Sequence, residues 1–200
     1  MTTSGNTAST PLFTTRTLVL MAIGIALNMA LGQAASFLSL PVFLDSLGTM
    51  IAAVLAGPIV GGLTGLITNL LWGVISSPTA AFFSPVALTI GVVAGLLARA
   101  GMFRTVWQAA ISGAIIAVAL AFIAVPIRIY LFGGVSGSGA DFLTAYLLQV
   151  GQSLFGSVVV TVITSNLADK IVTAVLAWAI VRGLPARTVA DWPFLAHTRR

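Results

Sequence analysis

The sequence predicts an all-α polytopic membrane protein, and three observations carry that prediction. Of the 200 residues, 58% are hydrophobic and 6% are charged, more apolar surface than a water-soluble domain of this size can hide. The apolar residues form continuous runs, not the short alternating segments of a transmembrane barrel. At about 20 apolar residues per crossing, the chain has room for roughly five to seven helices in one domain.

The same composition removes several chemistries. With no cysteine, disulfides, iron–sulfur clusters and thiol catalysis are excluded. The single histidine, His197, lies in a polar tail, which argues against a histidine metal site or a catalytic triad. No catalytic residue, metal or cofactor is therefore expected. The net charge of +5 superficially suggests nucleic acid. Basic residues on cytoplasmic loops, which fix topology in a lipid bilayer, account for it better, and no nucleic acid partner is expected.

Residues 1–15 are rich in Thr and Ser and lack apolar periodicity, so they read as a disordered cytoplasmic tail. A membrane domain follows over 16–185. Its first helix, Thr17 to Leu40, follows Arg16. A cleavable signal peptide is the rival reading, because Gln33-Ala34-Ala35-Ser36 resembles a cleavage site, but the run is longer than a usual signal core. Ala22, Ala26, Ala30 and Ala34 recur every four residues and make one smooth stripe, which lets another helix approach closely.

The stretch Leu44 to Gly73, LDSLGTMIAAVLAGPIVGGLTGLITNLLWG, reads as two helices joined by a tight turn at Gly57-Pro58. One continuous helix from Val42 to Ile75 would be about 50 Å long, well over the roughly 30 Å hydrocarbon core. Proline can instead open a new helix at its first position. Asp45, just after Pro41, can cap the positive end of the second helix. Gly62, Gly65, Asn69 and Trp72 fall on one face of the third, smooth at one end and polar-aromatic at the other.

Ser76-Ser77-Pro78 reads as a loop. A fourth helix, Phe82 to Ala98, carries the small pair Gly91 and Gly95. Arg99 and Arg104 flank a short connection. A fifth helix, Thr105 to Val125, is expected to be interrupted at Pro126, with Arg128 and Tyr130 directly after. GGVSGSG, 133–139, lacks a phosphate-loop pattern and reads as a hinge or lid. Asp141 opens another run, Phe142 to Ile163, with Tyr146, Gln149 and Gln152. The last helix, Leu167 to Leu184, opens with Asn166, Asp169 and Lys170. A basic cytoplasmic tail, 186–200, follows.

Charge then selects a topology. If the Gly57-Pro58 turn is cytoplasmic and Phe142 to Ile163 lies on or dips into the outer face, then Arg16, Arg99, Arg104 and the tail arginines all fall inside. Six transmembrane helices result, with both termini cytoplasmic. Asp45, Asn69, Trp72, Arg128, Tyr130, Gln149, Gln152, Asn166, Asp169 and Lys170 then gather in the outer half. Ionisable groups at membrane depth face a polar cavity or pair with one another. An outward-open pocket with both signs of charge and aromatic walls suits a small polar organic molecule.

These residues resemble the S components, the substrate-binding membrane subunits of energy-coupling factor (ECF) vitamin transporters. The resemblance runs from about Thr17 to Pro185. It rests on the alanine stripe, the Leu44 to Gly73 segment, the GGVSGSG loop and Asn166-Leu167-Ala168-Asp169-Lys170 before a cytoplasmic arginine. The resemblance implies a six-helix cell-membrane subunit of an ABC importer. It would capture a vitamin-like substrate outside, then topple to release it inside with a membrane coupling (T) subunit and two ATPase subunits. It also implies that Ala22, Ala26, Ala30 and Ala34 dock the coupling subunit, and that Asn166, Asp169 and Lys170 belong to the ligand pocket. The mixed charges are compatible with a flavin, a thiamine-like pyrimidine or another cofactor precursor. The chain has no Walker motif, so energy must come from a partner.

Two other classes compete. A non-transporting sensory or structural membrane module predicts no ligand. An intramembrane enzyme would need an acid–base pair, but Asp169 and Lys170 are adjacent and point about 100° apart on a helix, which disfavours it.

Overall fold

The computed structural model describes residues 12–38, 43–185 and 192. Among them every element is helical: α1 (Thr15–Phe37), α2 (Leu47–Ala56), α3 (Pro58–Ile75), α4 (Pro78–Phe82), α5 (Ser84–Arg99), α6 (Val106–Phe132), α7 (Asp141–Gln149) and α8 (Leu154–Gly183). Four of them, α1, α3, α6 and α8, are long and apolar enough to cross a membrane; α2 and α5 are shorter apolar helices. Most of the two predicted tails lies outside the described residues, and so do Pro41, His197 and the tail arginines.

Local signals set the helix ends. Thr14 caps α1 by accepting from the Thr17 amide at 3.3 Å. Gly57, at φ +94°, stops α2, and Pro58 takes the first position of α3, where its missing N–H leaves nothing unpaired. Thr105 and Gln108 form a reciprocal capping box at the start of α6.

Two differences from the sequence reading bear on the site. Pro126 does not interrupt the fifth helix; α6 runs through it to Phe132, so Arg128 and Tyr130 are helical. Packing supplies the reason: Ala124, Val125 and Arg128 around the proline are buried, and α6 lies along α8, one of the two most extensive helix pairings in the bundle. The run Phe142 to Ile163 is not one surface segment. Gly151, at φ +87°, turns the chain after α7, and Ser153 caps a new helix by accepting from the Gly156 amide at 3.2 Å. The second half of that run is therefore the first third of α8. Asn166, Asp169 and Lys170 consequently sit midway along a helix about 45 Å long and do not open it.

Small residues bring the helices together. A Cβ added to Gly48 would collide with the Gly24 backbone, so α1 and α2 meet main chain to main chain. Between α3 and α5, Gly91 lies against Gly61 and Gly62, Gly95 against Pro58, and Gly65 against Ala87. The two glycine faces legible in the sequence are thus partners of each other.

The arginine-bearing helix ends gather at one end of the bundle. Arg182, at the end of α8, donates from Nη1 to the Arg104 carbonyl at 3.0 Å. The α2–α3 break backs onto Gly95 near the end of α5, and Met21 of α1 packs with Ala52, Ala56 and Val60. Phe122 and Trp107 stand exposed on the outside of the bundle, as a lipid-facing surface requires.

Candidate binding cavity

At the other end the helices enclose a cavity of about 440 Å³. Residues from α1, α3, α5, α6 and α8, the 43–46 segment and the 136–139 loop all line it. Its polar groups include Asp45, Asn69, Arg128, Asn166 and Lys170; Phe43, Trp72, Phe83 and Phe142 supply aromatic wall. That size and mixture suit one small organic molecule.

The floor is built around Lys170. Its side chain is almost wholly buried, and Nζ donates to Ser46 Oγ at 2.7 Å, pairs closely with Asp169 and lies 3.5 Å from Asp45 Oδ1. Adjacent positions on a helix diverge, but the four-carbon lysine stem folds back far enough to reach Asp169. Asp169 is fully buried and does not line the cavity. Its Oδ1 accepts from the amides of Phe43 at 3.0 Å and Leu44 at 2.8 Å. This matters physically, because 43–46 is irregular backbone brought to the middle of a spanning helix, and such backbone persists there only when its polar groups find protein partners. Leu44, at φ +50°, is the one described non-glycine residue in the left-handed region, and it sits in this segment.

Asp45 does not cap α2. The cap comes from Asn28 of α1, whose Oδ1 accepts from the Gly48 amide at 2.7 Å and, more distantly, the Thr49 amide at 3.4 Å. Asn28 Nδ2 donates to Thr49 at 2.8 Å and Thr68 at 3.2 Å, so one fully buried amide ties α1, α2 and α3 together. Sequence reasoning missed Asn28. The signal was present: a lone amide in the middle of an apolar span marks an interior contact. Freed of capping, the Asp45 carboxyl faces the cavity.

The opposite wall is built around Arg128. Its guanidinium is buried and paired with Asp141, while Nε has no hydrogen-bond partner. Asp141 also accepts from the amides of Gly137 at 2.7 Å and Ser138 at 2.9 Å. The glycine-rich loop is thereby pinned over the cavity by the same carboxylate that neutralises Arg128.

The cavity thus collects Asp45, Asn69, Trp72, Arg128, Asn166 and Lys170 from the predicted set. Tyr130, Gln149 and Gln152 are exposed and outside it. Tyr130 is on the outer side of α6 because that helix continues past Pro126, and the two glutamines end up around the α7–α8 turn. Ala22, Ala26, Ala30 and Ala34 are all exposed along α1. Among the described residues no cluster of metal-ligating side chains exists.

No curated protein and no solved structure matches the chain. A family model described as the substrate-specific component of ECF transporters matches residues 16–181. That span takes in the cavity and every helix from Arg16 to Val181, and on it this chain belongs to the family of ECF transporter substrate-specific components, a transporter's binding subunits and not a family of enzymes.

Proposed function

We propose that the protein captures a vitamin or related micronutrient from outside the cell in the cavity between Asp45, Trp72, Arg128 and Lys170, and delivers it inward with a T subunit and two ATPase subunits. The observation that carries this reading is a cavity of small-molecule size at the end of the bundle opposite Arg104 and Arg182. By the positive-inside tendency the arginine end is cytoplasmic, so the cavity opens outward and both termini lie inside. Helices α1, α2, α3, α5, α6 and α8 make six crossings, α2 and α5 being short because the cavity takes up part of the membrane depth above them. The alanine stripe on α1 docks the coupling subunit.

Orientation is tested with single cysteines, since the chain has none of its own. A membrane-impermeant maleimide added to intact cells is expected to label Gln152→Cys and to spare Ala100→Cys until the membrane is permeabilised. Labelling of Ala100→Cys from outside would invert the topology and remove the capture reading. Docking is tested at Ala26. An Ala26→Trp variant is expected to lose at least tenfold in co-purification of the T subunit while keeping ligand affinity, because Ala26 does not line the cavity. Intact assembly would move the docking face elsewhere.

A non-transporting module remains the rival, favoured by the fact that Arg128 and Lys170 each already have a carboxylate partner. It predicts that the purified protein holds no small molecule.

A further inference from the structure

The charge balance around the cavity identifies the class of ligand. Five described ionisable side chains lie at this end: Arg128 and Lys170 against Asp45, Asp141 and Asp169. Two cations against three carboxylates leave one negative charge in excess. Geometry says where that excess resides. Asp169 is committed to Lys170 and to the Phe43 and Leu44 amides, and it does not reach the cavity. Asp141 is committed to Arg128 and to the Gly137 and Ser138 amides. Asp45 pairs with Lys170 at the longer distance of 3.5 Å, keeps part of its side chain exposed, and lines the cavity beside Trp72.

An anionic ligand would therefore meet two cations that already hold carboxylates, and a third carboxylate that shares its cation with Asp169. A cation would meet that third carboxylate and an aromatic wall, and aromatic rings attract positive charge.

We propose that the cavity takes a small ring-bearing organic cation, its positive nitrogen against Asp45 and Trp72. This inference rests on the capture reading above and specifies its substrate class.

The test uses the purified full chain in lipid nanodiscs, titrated calorimetrically with three ring compounds of graded charge: thiamine (cation), riboflavin (neutral) and nicotinate (anion). Small molecules released on denaturation are identified by mass spectrometry. Thiamine is expected to bind at least tenfold more tightly than the other two, with Asp45→Asn reducing its affinity at least tenfold while the melting temperature stays within a few degrees. Riboflavin or nicotinate binding as tightly as thiamine overturns the proposal and leaves capture intact; so does an Asp45→Asn variant that holds thiamine like the parent. If none of the three binds, the charge of the co-purifying molecule at neutral pH decides, a cation supporting the proposal and a neutral or anionic compound overturning it. If no small molecule binds or co-purifies at all, the capture reading falls and this inference with it.

Discussion

Replacing Lys170 with methionine is expected to destabilise the protein by about 3–5 kcal/mol, the range for removing one partner of a buried ion pair. Methionine keeps most of the lysine stem's volume, so packing changes little. Charge changes a great deal. Asp169 is fully buried and would lose its ammonium partner; Asp45 would lose its nearest cation; Ser46 would lose its donor. The two amides that bond Asp169 soften the loss without neutralising the carboxylate. The double variant Asp169→Asn/Lys170→Met removes the stranded charge, and an asparagine carbonyl can still accept from Phe43 and Leu44. It is expected to recover more than half of the lost stability. Thermal unfolding of the four proteins of this cycle measures the coupling; additive effects would mean that the pair contributes nothing as a pair. The sequence places Lys170 in the ligand pocket, and its burial gives it a structural part there as well. Lys170 holds the cavity floor, and any loss of affinity in its variants follows from the floor moving, which makes Asp45 the cleaner probe of recognition.

Residues whose chemistry is costly in lipid were legible before the structure. Asp45, Arg128 and Lys170 stood out because an ionisable group in an apolar run must face a cavity or a partner, and the structure gives them both. The glycine faces were equally legible, since residues at spacings of three and four share a helix face; which face met which was not, until Gly91 was seen against Gly61. Continuity was harder to read. Pro126 and Gly151 look alike as helix breakers in a sequence, but packing carries α6 through the proline while the left-handed glycine ends the α7 segment. Tyr130, Gln149 and Gln152, placed in the outer half by charge alone, do not line the cavity. Asn28 was passed over because it lacks charge, although a buried amide with four hydrogen bonds organises three helices.

Gly91→Val is expected to cost about 3 kcal/mol or more, the upper part of the range for overpacking. A side chain there would start inside the carbonyl carbon and oxygen of Gly61 and the amide nitrogen of Gly62, and all three belong to the main chain. No side chain can swing aside to make room. The only relief is for α3 and α5 to separate, and Gly95 against Pro58 and Gly65 against Ala87 would open with them. Those helices also carry cavity walls: Asn69 and Trp72 on one, Val86, Ala87 and Ile90 on the other. Ligand affinity should therefore fall together with melting temperature, although Gly91 itself does not line the cavity. Gly183→Ala is the matched control. Nothing lies within 4 Å of a Cβ at Gly183, and alanine is the better helix former, so its melting temperature should hold or rise slightly. Equal melting of the two variants would mean that the α3–α5 contact is looser than backbone touching backbone, and that the cavity walls are not set by it.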